Sequence, residues 1–274
     1  MSPKANGGVA RSTRLRGADR QVSIPTFYSA EPFASGQQLT LGEGEAHHIR
    51  VRRLDIGTRV ALLDGQGTRG EGTLVRLAKR NATVEVDQVE QVPPPAPVHL
   101  LLPIADKDRM LWLAEKAAEL GATSWRPVQY RRSRSVAARG EGTVFTQKVA
   151  ARMQAALEQS RNAWLPTIYP EATLDRAIAA APKGIRILLD GDAPALARNA
   201  AIMGAAEVPE GGLPTPVVIA VGPEGGIEPD ETARYVEAGF ARASIGQTIL
   251  RFETAATAAL GIVRSLLAGP AATP

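Results

Sequence analysis

Two short stretches hold most of the residues whose types and spacing could do chemistry. Val217 to Val221 is an apolar run that ends on Gly222-Pro223-Glu224-Gly225-Gly226. Further on comes Ser244-Ile245-Gly246-Gln247-Thr248-Ile249-Leu250-Arg251-Phe252-Glu253-Thr254-Ala255. Glycine has no Cβ, so the first stretch lets main-chain N–H and C=O groups approach a ligand closely. Successive N–H groups in such a turn form a small anion nest. The turn is not a P-loop, because no Gly-Lys-Ser/Thr follows, and it lacks the G-x-G-x-x-G order. In the second stretch Ile249 and Leu250 offer apolar faces to a planar ring such as adenine. Backbone groups of Ile245, Gly246 and Leu250 could bond the edge of that ring. Arg251 stands where a small-residue helix begins, and a helix N-terminus favours anions. A strand end, a bare turn and a second loop together suit a planar, polar small molecule. The plainer alternative is a tight turn plus a surface loop in which Arg251 and Glu253 form a solvated ion pair.

Composition narrows the chemistry. The 274 residues include no cysteine and three histidines, which nearly excludes thiol nucleophiles and Cys/His metal sites. No metal is expected, and a bound cofactor would have to bring the reactive group. Lys and Arg outnumber Asp and Glu by 32 to 28, a net charge of +4 that permits a nucleic-acid partner without requiring one. Clustering says more than the sum. Arg50, Arg52 and Arg53 form one basic group, and Arg131, Arg132, Arg134 and Arg139 another. Any one of them reads as a solvated charge; as two clusters they favour RNA phosphates. No apolar run approaches the roughly 18 residues of a membrane helix. The N-terminus lacks an apolar signal segment, so the expected location is the cytoplasm.

The elements that must position these residues fall into two domains. Residues 1–21 are expected to be a disordered basic tail. Residues 22–91 read as a β-rich module. Arg59–Leu63, Gly72–Lys79 and Ala82–Val89 are its strands, Asp64-Gly65-Gln66-Gly67 is a hairpin turn, and Glu43–Leu54 holds a short helix. Residues 92–97, Val-Pro-Pro-Pro-Ala-Pro, are a stiff linker. Residues 98–274 alternate strand and helix. Val98–Leu102, Ile185–Asp190 and Val217–Val221 are buried strands. Helices are predicted after a cap at Asp106 or Asp108 as far as Gly121, and over Val144–Arg161, Thr173–Ala181, Asp230–Gly239 and Thr254–Ala268. Glu207–Pro216 is expected to be a loop. That alternation indicates an α/β domain with a mostly parallel sheet.

At this point the motifs resemble a known family. Gly-Pro-Glu-Gly-Gly followed by Gly-x-x-Ile-Leu-Arg-x-Glu-Thr-Ala is similar to the RsmE family, the 16S rRNA uracil-N3 methyltransferases of the SPOUT superfamily. His47 to Val51 with Asp64 to Gly67 resembles that family's N-terminal PUA-like β-barrel. Asp108-Arg109-Met110 with Glu115 to Gly121 resembles the first helix of its catalytic domain. Glu158 to Arg161 with Leu165-Pro166 matches a further segment. Thr248 departs from the pattern, since the family usually carries Arg there, as do Asp106 and Leu111 where Lys and Glu are frequent. The resemblance implies a SPOUT α/β domain with a deep trefoil knot, a rare exception to unknotted folds, and a homodimer.

The same resemblance implies S-adenosylmethionine as cofactor, contacted by Leu188, Leu189, Gly222, Glu224, Gly225, Gly226, Ile245, Gly246, Ile249, Leu250 and Arg251. The implied reaction is methylation of a uracil N3 in 16S rRNA of the small ribosomal subunit. Because N3 lies on the Watson–Crick edge and carries a proton, the base must be unpaired. Arg251 is then the candidate to stabilise the charge shared with O2 and O4, and Glu224 or Glu253 to take the proton. Competing expectations are a SPOUT enzyme acting on tRNA or on a ribose hydroxyl, and an RNA-binding assembly factor without turnover.

Overall fold

The structure, a computed structural model, describes residues 24–133, 142–198 and 214–268. The expected basic tail, Arg134 and Arg139, and residues 207–213 of the expected loop lie outside the described residues.

The N-terminal part is a curled five-stranded sheet in the order β1-β3-β4-β5-β2. Its strands are β1 (Thr26–Tyr28), β2 (Gln38–Leu41), β3 (Arg59–Leu63), β4 (Thr68–Leu77) and β5 (Ala82–Gln91). Only β1 and β3 run parallel; the other pairs are antiparallel. Alternation dictates the sides. Ala82, Val84 and Val86 of β5 point inward while Glu85 and Asp87 face water, as expected of a sheet with one dry face. Helix α1 (Glu43–Val51) adds Ala46 and Ile49 to a core that holds Phe27, Leu62, Leu74 and Val84.

Beyond the proline-rich connection lies a seven-stranded sheet in which every pairing is parallel. Its strands are β6 (Val98–Pro103), β7 (Ser124–Gln129), β8 (Thr167–Ile168), β9 (Ala172–Thr173), β10 (Ile185–Leu189), β11 (Val217–Ala220) and β12 (Ala241–Ala243). Their order is β12-β10-β11-β6-β7-β8, with β9 also on β7. Helices α2 (Lys107–Glu119), α3 (Gly142–Ser160) and α6 (Phe252–Leu267) cover one face. Helices α4 (Leu174–Ala179) and α5 (Pro229–Glu237) cover the other. Leu100, Leu102 and Ile219 therefore pack toward the first group, and Leu101, Val218 and Ala220 toward the second. Burial on both sides explains why β11 is an uninterrupted apolar run and β6 is one broken only at His99. Each fully buried Leu or Ile contributes roughly 1.5–3 kcal/mol.

Four of these strands, β7, β8, β9 and β12, were not expected from the sequence. The last helix starts at Phe252 instead of Thr254 and the α3 helix at Gly142 instead of Val144. The strand order explains where a site can form. The chain builds outward from β6 through β7 and β8, then returns on the other side, with β11 inserted between β10 and β6. That reversal leaves a crevice beyond the carboxyl ends of β10 and β11, the usual ligand position in open α/β sheets.

The two sheets are tied by backbone. Gly67 N donates to Ala163 O at 2.9 Å, Leu165 N to Gly65 O at 2.9 Å, and the indole of Trp164 to Val92 O at 3.1 Å. Gly67 has φ +100°, and a Cβ there would lie 2.4 Å from the Trp164 ring, so both backbone and space require glycine. Glu158 of α3 accepts from Tyr28 N at 3.0 Å and stands 3.6 Å from His48 Nδ1. Burial pushes its carboxyl above the usual 4.5.

Candidate active site

Three chain segments meet at the crevice and enclose a cavity of about 440 Å³, within the usual size of small-molecule sites. Leu188, Leu189 and Asp190 come from the end of β10. Gly222, Glu224, Gly226 and Ile227 come from the turn after β11. Ile245, Gly246, Thr248, Ile249 and Leu250 come from the loop after β12, with Phe252 and Ala255 of α6 behind them. The segment after β10 runs parallel beside the chain leaving β12: Leu196 N donates to Ser244 O and Ser244 N to Pro194 O, both at 2.8 Å.

The turn has a defined shape. Gly226 N donates to Pro223 O at 2.8 Å, and Gly226 sits at φ +78°, a conformation that disfavours any residue with a Cβ. At Gly246 a Cβ would meet nothing within 4 Å. The wall there is bare backbone with open space before it.

Most residues anticipated as cofactor contacts come together here. Leu188, Leu189, Gly222, Glu224, Gly226, Ile245, Gly246, Ile249 and Leu250 line the cavity; Gly225 and Arg251 do not. A Cβ on Gly225 would lie 3.2 Å from Arg132 Cβ, so this glycine makes room for a neighbouring loop and not for a ligand. Arg251 is exposed and occupies the cap position of α6 without a side-chain capping bond. Ile249, expected to sandwich a ring, is fully exposed at 103%.

Charge is distributed unevenly. Asp190 accepts from Arg242 Nε at 2.5 Å, and that guanidinium holds its carboxyl below the usual range. Arg109, on the first turn of α2, pairs with Glu224. The same guanidinium has its Nε 3.8 Å from Glu253 Oε1. Glu253 is buried, 7% exposed, and its Oε2 has no hydrogen-bond partner. Both anticipated proton acceptors, Glu224 and Glu253, thus converge on one arginine that sequence reasoning did not select.

The basic clusters are placed differently from each other. Arg50, Arg52 and Arg53 are exposed on the first domain, where Arg50 donates to Ala78 O and Lys79 O at 2.7 Å. Arg131 and Arg132 face the acidic start of α5. Arg131 pairs with Asp230, and its backbone N donates to Glu231 Oε1 at 2.9 Å. Arg132 donates to Glu228 at 2.7 Å and to Gly225 O at 2.8 Å. These two arginines brace the glycine turn, because Glu228, Asp230 and Glu231 lie next to it. Beneath them the Tyr130 and Tyr235 hydroxyls meet at 2.6 Å, and burial pushes both above the ordinary tyrosine value. Asp190, Arg242 and Arg109 are the functional candidates missed from sequence. Asp190 could have been found from its place at a parallel strand's carboxyl end. Among the described residues there is no group of three His, Cys, Asp or Glu able to hold a metal, and no helix is long and apolar enough to cross a membrane.

Comparison with known proteins agrees with this geometry. Residues 92–264 match the RNA methyltransferase domain and residues 41–87 the RNA methyltransferase PUA domain. The chain belongs to this family of RNA methyltransferases, α/β enzymes that carry a PUA-like domain in front. Within that family it is a member of the RsmE group. It is 29% identical to ribosomal RNA small subunit methyltransferase E of Synechocystis over 84% of this chain and 73% of that one. The Mycobacterium tuberculosis protein of the same name is 28% identical over 88% and 91%. The crystal structure of the Neisseria gonorrhoeae methyltransferase E, bound to S-adenosylmethionine, superposes with a TM-score of 0.75 at 28% identity, covering 89% of this chain and 98% of that one. A Legionella pneumophila protein gives a TM-score of 0.79 at 24% identity, covering 89% and 98%.

Proposed function

We propose that this protein uses S-adenosylmethionine to methylate N3 of a uridine in 16S rRNA of the small ribosomal subunit. The observation that carries the reading is the cavity where the β10, β11 and β12 loops meet. Its walls fit the cofactor. Leu188, Leu189, Ile245 and Leu250 suit a purine, bare backbone at Gly226 and Gly246 suits close polar contact, and Asp190 and Glu224 suit hydroxyl and cationic groups, while Gly222 leaves room for Ile227. The cofactor supplies an electrophilic methyl group, so the protein's task is to position and to manage a proton.

Uracil N3 carries a proton at neutral pH. Glu224, which lines the cavity, or Glu253, buried on the same arginine, takes it. Negative charge then spreads to O2 and O4 of the base. Arg251, exposed at the start of α6 where the helix N-terminus favours anions, stabilises it. The exposed Arg50, Arg52 and Arg53 contact phosphates and orient the RNA without selecting sequence. The reading includes a division into domains at residues 22–91 and 98–274 joined by the 92–97 linker. It also includes the trefoil knot that the family resemblance implies. A homodimer in the cytoplasm completes it, supported by the small residues Ala255, Ala258 and Gly261 on α6.

Primer extension on 16S rRNA from cells lacking the protein tests this directly. An N3 methyl blocks base pairing, so the stop present in normal cells should vanish, and nucleoside mass spectrometry should show loss of 3-methyluridine. An unchanged stop, or loss of a ribose methyl instead, would refute the assignment.

A further inference from the structure

We infer that Asp190 accepts the two ribose hydroxyls of the cofactor's adenosine half and so selects for an intact ribose; the inference rests on the cofactor reading above. Its placement comes from the strand. Asp190 follows directly on β10, after Leu188 and Leu189. Its backbone N donates to Ala243 O at 2.9 Å, and its carbonyl accepts from Ala193 N at 3.2 Å. The residue is thus pinned on one side to β12 and on the other to its own turn. Leu188, Leu189 and Ile245, which suit a purine, line the cavity beside it. A ribose joined to a purine held there belongs to the same wall. Glu224 stands on a different wall, the turn after β11, and is paired with Arg109.

The Asp190 side chain is oriented but not used up. Its Oδ1 accepts from Asp192 N at 3.0 Å and its Oδ2 from Arg242 Nε at 2.5 Å. An ionised carboxylate has about four lone-pair sites. Among the described residues, each oxygen therefore keeps capacity for a further donor. Two acceptors side by side match two hydroxyls side by side. Asp192, the other acid of this turn, is exposed and lends its backbone N–H to Asp190 instead.

Arg242 decides between the donors that the cofactor offers. Its side chain lines the cavity together with Asp190. An ammonium group arriving at Asp190 would be drawn by the carboxylate and repelled by the guanidinium bonded to it. A hydroxyl has no net charge, so it meets an ionised acceptor without that repulsion. The same guanidinium holds the Asp190 carboxyl below its usual range, which keeps it an acceptor at neutral pH.

The test measures binding to the full-length free protein by calorimetry, so it needs no RNA. S-adenosylhomocysteine carries both the diol and the ammonium. Its 2′,3′-dideoxy analogue lacks the diol, and 5′-methylthioadenosine lacks the ammonium. Each is titrated into wild type, Asp190→Asn and Asp190→Ala, with thermal unfolding as the check on folding. Asp190→Ala should bind S-adenosylhomocysteine and 5′-methylthioadenosine roughly 10- to 100-fold more weakly, the scale of hydrogen bonds to a charged group. It should bind the dideoxy analogue within about 2-fold of wild type, well under one tenfold step. Asp190→Asn keeps the shape and one acceptor oxygen, so its losses should fall between these limits and follow the same order. If Asp190→Ala does not fold, the comparison rests on Asp190→Asn, in which removing the diol must cost less affinity than in wild type. An aspartate that merely shapes the turn would weaken all three ligands alike, and that result overturns the inference. A loss confined to S-adenosylhomocysteine would assign Asp190 to the ammonium and overturn it too, as would unchanged affinities. A wild type that does not bind S-adenosylhomocysteine at all would instead bring down the cofactor reading, and this inference with it.

Discussion

Helix α6 buries a carboxylate at its beginning and a guanidinium at its end, and the two ends have different uses. Both charges agree with the helix dipole, which favours an acid in the first turn and a base in the last. At the far end, Arg264 donates to Ala96 O at 2.5 Å and to Gly121 O. Burial lowers its pKa to about 10, and its Nε has no partner. Every contact it makes is to backbone at the entry of β6 and the exit of α2, so it works as a clasp. At the near end, Glu253 also keeps a buried atom without a partner, but it shares a cation with a residue of the cavity wall. A buried charge alone is therefore a poor guide to catalysis. What distinguishes the two is whether the charge is spent on backbone or shared with a ligand site.

The comparison can be broken from either end. The largest effect expected is on Glu253→Gln, which should cost about 10²- to 10⁴-fold in methylation rate, measured with subunits as substrate, while the melting temperature changes little. A fast Glu253→Gln enzyme would move the acceptor role to Glu224. Arg264→Ala should show the opposite pattern. Stability in denaturant should fall by about 1–3 kcal/mol, because two part-buried carbonyls lose a charged donor, while the rate per folded molecule holds. A rate loss without unfolding there would erase the distinction. Gly226→Val sharpens it on the cavity side: the positive φ strains any branched residue, and cofactor affinity by calorimetry should drop about 10-fold, roughly 1.4 kcal/mol.

The smallest effect concerns Glu158, a third charged group and largely buried, again held by backbone. Its carboxyl is raised above 4.5 chiefly by burial. The folded state thus prefers the protonated form. The stability this group confers is complete below pH 4.5 and is lost as pH rises through the raised value. Glu158→Gln should melt close to wild type in acid and progressively higher than wild type toward neutral pH. Its methylation rate should match wild type, since this acid faces the seam between the sheets and not the cavity.

Much of this was legible in the sequence. The β6, β10 and β11 strands are covered on both faces and so read as largely apolar runs, broken only at His99 and Arg186. The glycine turn and the loop at residues 244–250 announced a site by their lack of side chains. Strand β7 was hidden because it reads Ser-Trp-Arg-Pro-Val-Gln. Its proline is tolerated because Pro127 falls in the gap between the β8 pairing at Ser124–Trp125 and the β9 pairing at Val128–Gln129. Arg109 was hidden for another reason. Its partners Glu224 and Glu253 are distant in sequence and meet it only when α2 and α6 pack together, which no local spacing encodes. Gly225 and Arg132 show the reverse error, where a glycine that seemed made for a ligand was made for an arginine.

The joint between the two sheets has a consequence of its own. The hairpin at Gly65–Gly67 is hydrogen-bonded to residues 163–165 and packs closely over Trp164, which couples the front sheet to the rear one. Arg50 to Arg53 on one sheet and the mouth of the cavity on the other are thereby tied through that joint, like the jaws of a gauge. On the proposed reading, an RNA bound at the first must span that gap to offer a base to the second.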